Sequence, residues 1–513
     1  GSQLNYETAE KIRDLNYDGV YLVKESKRYY PYGSLLSHVL GYVGIDNQGL
    51  SGIELEYDKY LTGSDGAIKY FSDGKGNRLK LNEVYEKPQA GVNIELTIDL
   101  DIQQSIEREL DNVIAKYNPE HALIVAMNPK TGEILGMSSR PNFDPNNYKQ
   151  YDSETINRNL PIWMTYEPGS TFKIITLTAS IEEQTVNLFE DQYTDTGGIT
   201  VEGSRIKCWK SGGHGTQTFL QVVENSCNPG FVVMGQRLGT STLFNYIHKF
   251  GFGKKTGIDL NGESSGILFK EQNVGPVELA TTSFGQGISV TPIQQVKAVS
   301  AAINGGSLYT PYIVGALKEP ETNSVIKAVT ANKEAQVISE DTSALVRHAL
   351  ESVVANGSGR NAYIENYRVG GKTGTAQKVQ DGRYMSGNYI LSFMGFMPAN
   401  DPEIVVYVAV DHPQGITQYG GTVSAPIAKN VLLDAINILN IKPDSNGMAK
   451  EYNYLDQKYV ILPDVLNKSV KEASELLKGF KIEYSGTGDK VTYQSPAGNM
   501  YVKENSTVKL LLN

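Results

Sequence analysis

The sequence predicts an α+β protein, and three observations lead to this prediction. Residues 122–138 read as a buried strand, a Pro-Gly-containing turn and a returning strand, which is the pattern of a β-hairpin. Helical stretches such as 292–304 alternate with glycine-rich loops between about 160 and 440. The segments 388–397 and 404–411 read as two neighbouring strands. Helices and paired strands mixed in this way are typical of one large α+β domain.

Composition narrows the class of protein. The chain has 513 residues, of which 40% are hydrophobic and 20% are charged, so about two to four globular domains are expected. Its formal net charge of −10 argues against a nucleic-acid partner, which would require a basic surface. No stretch approaches 18 uninterrupted apolar residues, so the sequence predicts no membrane span. Gly1-Ser2 is typical of a cloning remnant.

Glycine spacing and strand patterns predict the domain boundaries. The glycine-rich, tyrosine-rich residues 1–90 predict an irregular, β-rich N-terminal domain. Residues 91–445 form the large domain, which begins with a strand over 92–98 and a helix that Asp99 or Asp101 caps. We expect a linker at 446–458 and a small α/β unit at 459–513.

One further helix is predicted over 217–238, within the large domain.

Three short motifs carry the chemistry. They are Ser170-Thr-Phe-Lys173, Ser226-Cys-Asn228 and Lys372-Thr-Gly374, separated by 56 and 146 residues. At a helix start, residues i and i+3 share one face, so Lys173 lies beside Ser170 and removes its proton once burial and neighbouring positive charge depress the lysine pKa. Pro168-Gly169 allows a tight turn into the helix N-terminus, where free N–H groups stabilise negative charge. The three motifs in this order predict a serine acyl-transferase.

The sequence around these motifs resembles that of class B penicillin-binding proteins. The resemblance covers Tyr166 to Lys173, Gly370 to Gln377 and Ser392 to Phe396 in the large domain, and Arg28 to Gly66 ahead of it. The Leu462-Pro-Asp-Val465 segment resembles a PASTA module. This resemblance implies a transpeptidase domain like that of serine β-lactamases, with a central antiparallel sheet flanked by helices, between an N-terminal pedestal of the dimerisation type and a C-terminal PASTA module.

The resemblance also implies a role for each motif residue. Ser170 is the nucleophile, Lys173 the general base, Ser226 the proton relay, Asn228 the orienting amide and Lys372 the positive charge that keeps Lys173 neutral. Thr373, Gly374 and Thr375 bind substrate, and the backbone N–H groups of Ser170 and Thr375 form the oxyanion hole. The implied substrates are the stem peptides of lipid-linked peptidoglycan precursors, and β-lactams acylate the same serine. Acyl transfer of this kind requires no cofactor.

Within the family, the PASTA-like tail and the cysteine in the second motif resemble the members that build spore cortex. The family's opening Arg-Gly-x-Ile motif is absent ahead of Gln3, so we expect a longer native chain with a single N-terminal membrane anchor. The implied location is the extracytoplasmic face of the cell membrane, with the forespore outer membrane or the intermembrane space as the specific site. A membrane glycan polymerase is the implied partner.

Two alternative functions stay open at this point. A D,D-carboxypeptidase or β-lactamase-type hydrolase would use the same serine with water as the acceptor. A scaffold that recruits a glycan polymerase would not need the serine.

The two cysteines of the chain raise a separate question. Cys208 and Cys227 flank His214, and Cys227 lies inside the second motif. With Asp195 or Asp191 as a fourth ligand, this spacing predicts a structural zinc site. A Cys208–Cys227 disulfide, opened by a thiol-disulfide oxidoreductase, is the second interpretation, and two buried free thiols are the third.

Overall fold

The computed structural model describes residues 4–22, 25–74, 78–380, 382–450 and 458–513. The elements of its N-terminal region are α1 (Tyr6–Asp14), α2 (Ser37–Leu40), α3 (Gly52–Glu56), α4 (Asp58–Leu61), β1 (Ala67–Ser72) and β2 (Arg78–Glu86). The predicted β character lies in the β1–β2 hairpin, while the glycine-rich residues before it form short helices. Gly41 and Gly52 have positive φ and bring the ends of α2 and α3 together at a distance that a Cβ would block. None of the helices in the described ranges has the length and apolar character needed to cross a bilayer.

The large domain contains most of the secondary structure. Its elements are β3 (Asn93–Leu96), α5 (Leu100–Tyr117), β4 (His121–Met127), β5 (Ile134–Arg140), α6 (Ser153–Asn157), α7 (Leu160–Trp163), α8 (Lys173–Glu182), β6 (Gln192–Asp195), β7 (Gly198–Val201), β8 (Ser204–Lys207), β9 (Gly215–Thr218), α9 (Phe219–Glu224), α10 (Asn228–Leu238), α11 (Thr240–Lys249), α12 (Pro276–Thr282), α13 (Pro292–Ile303), β10 (Ser307–Tyr309), β11 (Val314–Lys318), β12 (Val325–Ala328), β13 (Lys333–Gln336), α14 (Glu340–Ala355), β14 (Gly370–Gln380), β15 (Arg383–Met397), β16 (Ile404–Asp411) and α15 (Gly420–Ile438). The predicted α5 is confirmed, with Asp99 as its N-cap.

A five-stranded antiparallel sheet forms the centre of this domain. Its strand order is β14-β15-β16-β4-β5, which leaves β14 at one edge. Helices cover both faces, so side chains of β4 alternate between two cores: Leu123 and Val125 pack with α8 and α13, and Ala122 and Ile124 pack with α5 and α15. Burial on both faces explains why β4 is a continuous apolar run rather than an alternating one.

The helix predicted over 217–238 is wrong, because the chain breaks between α9 and α10. Ser226 has φ of 52°, in the left-handed region, and Cys227 is extended. Pro229 then occupies the first turn of α10, where its missing N–H costs nothing. The break therefore places the second motif in a turn at a helix N-terminus instead of inside a helix.

The C-terminal module has its own small core. Its elements are β17 (Tyr459–Ile461), α16 (Val470–Leu476), β18 (Lys481–Gly486), β19 (Val491–Ser495), β20 (Tyr501–Lys503) and β21 (Thr507–Leu512). Buried residues such as Leu462, Val491 and Val508 pack under α16. The Tyr501 hydroxyl donates a hydrogen bond to the Glu365 carbonyl, which ties this module to the large domain.

The nucleophile turn is held against a second glycine loop. The Gly169 N–H donates to the Gly285 carbonyl over 2.9 Å, and a Cβ on Gly285 would lie 2.1 Å from the Gly169 carbonyl oxygen. Both glycines have positive φ. The loop around Gly285 therefore has room for glycine alone.

We expect Gly285→Ala to lower the melting temperature and to slow acylation, because the new Cβ displaces the turn that carries Ser170. Gly262→Ala is the matched control: its φ of 83° is close to the 85° of Gly285, but its Cβ would meet no atom within 4 Å. In both variants, an alanine in the left-handed region lowers the free energy of unfolding by about 1 kcal/mol. Only in Gly285→Ala does the clash of the new Cβ lower it further. Thermal denaturation and fluorescent-penicillin labelling measure this, and equal effects of the two variants would contradict it.

Candidate active site

Ser170 lies on a single 3₁₀ turn, Gly169–Thr171, directly before α8. The Thr171 hydroxyl donates to the Pro168 carbonyl over 2.9 Å and fixes the turn. Ser170 itself is half-buried, and within the described ranges its hydroxyl makes no hydrogen bond. The hydroxyl is therefore not engaged by another described group and is available to a substrate.

Lys173, one turn later, is fully buried. Its Nζ donates to Asn228 Oδ1 over 2.6 Å, to the Ser226 carbonyl over 2.8 Å and to Ser226 Oγ over 3.1 Å. Burial lowers the pKa of Lys173 to about 7. A lysine amine with this pKa is neutral in a substantial fraction of molecules near neutral pH and is able to accept a proton.

Lys372 approaches Ser226 from strand β14. Its Nζ donates to Ser226 Oγ over 2.7 Å and to the Thr373 carbonyl over 3.1 Å. Burial, and then the charge of Lys173, hold the pKa of Lys372 well below its usual value. The sequence predicted that the charge of Lys372 keeps Lys173 neutral; burial is the principal cause of the lowered Lys173 pKa.

Ser226 owes its position to the helix break. Its left-handed backbone is uncommon for a residue with a Cβ, and such strain persists only where surrounding contacts hold it. The side chain is only 7% exposed and its oxygen accepts hydrogen bonds from both lysines. Its own hydrogen is therefore not required by these two bonds and is available for transfer, as a proton relay requires.

Strand β14 forms the opposite wall of the cleft. A Cβ on Gly374 would lie 2.2 Å from Ser392 Oγ and 3.1 Å from Thr171 Cγ2, so glycine is needed where this strand passes the nucleophile turn. Thr375 Oγ1 accepts from the Gly420 N–H over 3.2 Å. Because β14 is an edge strand, its outer backbone groups are able to pair with an extended peptide.

Two residues of this wall carried no sequence signal. The Thr373 hydroxyl donates to Ser358 Oγ over 3.0 Å, and the Tyr419 hydroxyl is hydrogen-bonded to both side chains. Neither Ser358 nor Tyr419 belongs to one of the three motifs, and each reaches Thr373 from a distant part of the chain. Tertiary contacts alone reveal them.

The two cysteines converge with the predicted partners. Ligand atoms of Asp195, Cys208, His214 and Cys227 all lie within 4.8 Å of one another. Asp195 Oδ2 lies 2.9 Å from His214 Nδ1 and 3.4 Å from Cys227 Sγ, and Cys208 Sγ lies 3.3 Å from His214 Nδ1. Both cysteines are free thiols in this structure. Of the two candidate aspartates, Asp195 belongs to this cluster.

The other candidate, Asp191, is engaged elsewhere. It forms an ion pair with Arg237 at 2.5 Å.

Hydrogen bonds and burial set the protonation of the cluster. Burial alone would raise the pKa of Asp195, but hydrogen bonds from Cys208, His214 and the Gly197 N–H lower it to about 2. Burial raises the pKa of Cys208 to about 11 and that of Cys227 to about 12. His214 Nε2 is buried and has no hydrogen-bond partner in the described part of the chain.

A second group of candidate ligands has a different explanation. Glu120, His121 and Asp411 lie together, but the Lys378 ammonium forms ion pairs with Glu120 at 2.5 Å and with Asp411 at 2.9 Å. The lysine occupies the position that a cation would take. This group is an ion-pair network of the sheet edge.

Comparison with known proteins places the whole chain. The family model described as the penicillin-binding protein transpeptidase domain matches residues 122–433. The penicillin-binding protein dimerisation domain matches 1–96, and the PASTA domain matches 460–513.

Curated relatives agree with this. Stage V sporulation protein D of Bacillus subtilis is 55% identical over 513 residues, which are 100% of this chain and 79% of the relative. The peptidoglycan D,D-transpeptidase FtsI of Escherichia coli is 33% identical over 445 residues, which are 86% of this chain and 72% of the relative.

Solved structures share the fold. Penicillin-binding protein 3 of Mycobacterium tuberculosis has a TM-score of 0.74 at 28% identity, covering 83% of this chain and 94% of that one. Penicillin-binding protein 2X of Streptococcus thermophilus has a TM-score of 0.72 at 24% identity, covering 99% and 77%. The chain therefore belongs to the penicillin-binding protein transpeptidase family, as a class B member with a dimerisation domain and a PASTA domain.

Proposed function

We propose that this chain is a serine D,D-transpeptidase that cross-links peptidoglycan stem peptides through an acyl-enzyme on Ser170. One observation carries the proposal: the buried amine of Lys173, one turn after Ser170, is held by Ser226 and Asn228. A buried lysine with a pKa near 7, whose three hydrogen bonds go to uncharged oxygens, serves as a general base. The chemistry that follows uses side chains and backbone groups alone.

The acylation step follows from the geometry. A donor peptide ending in D-Ala-D-Ala lies along β14, with its terminal carboxylate at Thr373 and Thr375. Ser170 Oγ attacks the penultimate D-Ala carbonyl as its proton passes to Lys173. The backbone N–H groups of Ser170 and Thr375 receive the oxyanion, a contribution of about 3–4 kcal/mol for each donor.

The second half of the reaction reverses the proton transfers. Collapse of the tetrahedral intermediate breaks the peptide bond, and the proton reaches the departing D-Ala amine from Lys173 through Ser226 Oγ. The acyl-enzyme is then attacked by the amine of a second stem peptide, whose proton returns along the same path to Ser170. A β-lactam follows the first half and remains on Ser170.

The biological setting rests on the relatives. The sporulation protein that matches the full chain supports a role in sporulation. We propose that this role is spore cortex synthesis at the extracytoplasmic membrane face, in the forespore outer membrane or intermembrane space. We also propose a single N-terminal membrane anchor and a membrane glycan polymerase as partner, as the family resemblance implies. We also propose the domain boundaries 1–90, 91–445, 446–458 and 459–513.

Ser170→Ala is expected to abolish the mass adduct with benzylpenicillin and the formation of cross-linked muropeptides from lipid-linked precursors. Intact-mass spectrometry and muropeptide chromatography measure the two results. Ser180→Ala is the control, because that hydroxyl is buried on α8, the helix that follows Ser170, and has no hydrogen-bond partner among the described residues.

Hydrolysis products without cross-links from the unmodified chain would instead support the D,D-carboxypeptidase or β-lactamase-type alternative. Normal wall synthesis in cells that carry Ser170→Ala would support the scaffold.

Ser226→Ala is expected to slow acylation by about 10²–10⁴, because the relay hydroxyl between the two lysines is lost. Ser226→Gly removes the hydroxyl and also relieves the left-handed strain, so it should be more stable than the alanine variant and equally slow. Stopped-flow labelling with fluorescent penicillin measures the rates. A glycine variant that acylates at the wild-type rate would show that the hydroxyl has no role.

We further propose that Asp195, Cys208, His214 and Cys227 hold a structural zinc ion. A tetrahedral ion with bonds of about 2.0–2.3 Å places its ligand atoms roughly 3.3–3.8 Å apart, and the observed separations of 2.9, 3.3 and 3.4 Å are close to this. His214 turns Nδ1 towards Asp195 and Cys208, so this is the ring nitrogen that would bind the ion. Thiolate, imidazole and carboxylate groups all bind zinc.

The zinc ion would fix the second motif. Cys227 lies between Ser226 and Asn228 and caps α10, so its sulfur anchors both residues that hold Lys173. Asp195 ends β6, Cys208 follows β8 and His214 precedes β9, so the same ligands tie two small two-stranded sheets, β6–β9 and β7–β8, to this turn. The interpretation as a disulfide, opened by a thiol-disulfide oxidoreductase, is the alternative that metal analysis tests.

Cys227→Ser and His214→Ala are expected to reduce zinc content from about one equivalent to near zero, to lower the melting temperature and to slow acylation. Asp191→Asn is the control, because this aspartate pairs with Arg237 outside the cluster. Plasma mass spectrometry and thermal denaturation measure the outcome. A metal-free protein with a Cys208–Cys227 disulfide, active after reduction, would replace zinc by the redox interpretation.

A further inference from the structure

Trp209 is a large aromatic side chain next to the active site that the mechanism does not use. Its side chain is 57% exposed, although it follows the buried Cys208 directly. An exposed indole held in one orientation presents a flat apolar face to whatever binds beside it. The contacts of this ring on its two sides indicate which part of a substrate would bind beside it.

One edge of the indole is attached to the turn that carries Ser226. The Nε1–H donates to the Asn225 carbonyl over 2.8 Å, and Asn225 directly precedes Ser226. The Asn225 amide in turn donates to Gln217 Oε1 over 3.0 Å. The ring is therefore fixed to the backbone at the end of α9 rather than swinging in solvent.

The other side of the indole reaches the opposite wall of the cleft. Its ring lies 6.4 Å from the ring of Tyr419, whose hydroxyl is hydrogen-bonded to Thr373 and Ser358. Trp209 thus spans from the Ser226 turn to the side of β14 that holds Thr373. These two walls are independent parts of the chain, and the aromatic pair joins them at one end of the cleft.

The cysteine cluster also contacts the Trp209 ring, through His214. The Trp209 and His214 rings meet edge to face at 5.3 Å, and the Cys208 N–H donates to the Gly197 carbonyl over 3.1 Å. The indole therefore has a hydrogen bond and ring contacts on two sides, and only its remaining surface is open. This fixed support makes a wall rather than a mobile flap.

We propose that Trp209 closes the end of the donor cleft and limits the size of the donor's terminal residue. This inference rests on the proposed roles of Thr373 and Ser226. With the terminal carboxylate at Thr373, the side chain of the last residue lies between the Ser226 turn and Tyr419, where the indole stands. The methyl side chain of a terminal alanine packs against the indole, whereas a larger, branched side chain clashes with it.

The chain offers a direct probe of this contact, because it has two tryptophans. The other, Trp163, ends α7 beneath the Arg158 guanidinium. In a Trp163→Phe protein, Trp209 is the sole tryptophan, and its emission should change in intensity or wavelength when benzylpenicillin acylates Ser170. Emission that stays constant through complete acylation, confirmed by intact mass, would overturn the proposal.

Donor selectivity is the second measurement. Peptide donors that end in D-Ala-D-Ala and in D-Ala-D-Leu are compared by kcat/KM for release of the terminal residue. Trp209→Ala should raise the D-Leu to D-Ala ratio by about tenfold or more, the scale on which an apolar pocket discriminates extra carbons. Trp209→Phe keeps a smaller ring but loses the N–H, so its D-Leu to D-Ala ratio should lie between those of the wild type and Trp209→Ala.

Equal losses for both donors in the Trp209 variants would overturn the proposal, since they indicate a structural role without selectivity. Zinc content and benzylpenicillin adduct formation are measured on the same samples. A wild-type chain that forms no adduct would refute the transpeptidase function itself, while normal adducts with an unchanged donor ratio refute only the role of Trp209. Trp163→Phe alone should leave the ratio unchanged.

Discussion

The burial of the Lys173 amine is the constraint on which the active site depends. Burying a charged ammonium carries a large desolvation free energy. A buried lysine is therefore either paired with a carboxylate or has a lowered pKa. Here its three hydrogen bonds go to a carbonyl, a hydroxyl and an amide oxygen, none of which carries a charge. Burial therefore lowers the pKa of the amine, which becomes a base at neutral pH.

Excluding water from the Lys173 amine requires close packing from three sides. Helices α8 and α10 surround it, and β14 brings Lys372 to the same hydroxyl. Glycines at positions 169, 285 and 374 allow backbones to approach where a Cβ would meet neighbouring atoms. The central sheet, covered on both faces, supplies the rigid support, because its side chains are locked into two separate cores.

The second motif connects catalysis to the cysteine cluster. Ser226 and Asn228 hold Lys173, and Cys227 between them turns its sulfur to the other side, towards Asp195. One strained turn therefore contacts the base through Ser226 and Asn228, and through Cys227 it contributes to a cluster of four potential metal ligands. Trp209 extends the same cluster to the cleft, since its ring packs on His214 and its N–H on the carbonyl before Ser226. Trp209, the Ser226 hydroxyl and the cluster thus form one connected unit.

The sequence by itself determined the fold class, the three motifs in order and the cysteine–histidine spacing, because these depend on local patterns of residue types. It predicted the start of α5 and the paired strands β15 and β16 for the same reason. It predicted a continuous helix over 217–238, because helix propensity does not register a left-handed Ser226 that tertiary contacts impose.

Only the tertiary structure decided between Asp195 and Asp191, since both lie within reach along the chain and only one points at the cysteines. It also brought Ser358 and Tyr419 to Thr373, and Trp209 to Tyr419, because contacts between distant segments follow from packing, which no local pattern encodes.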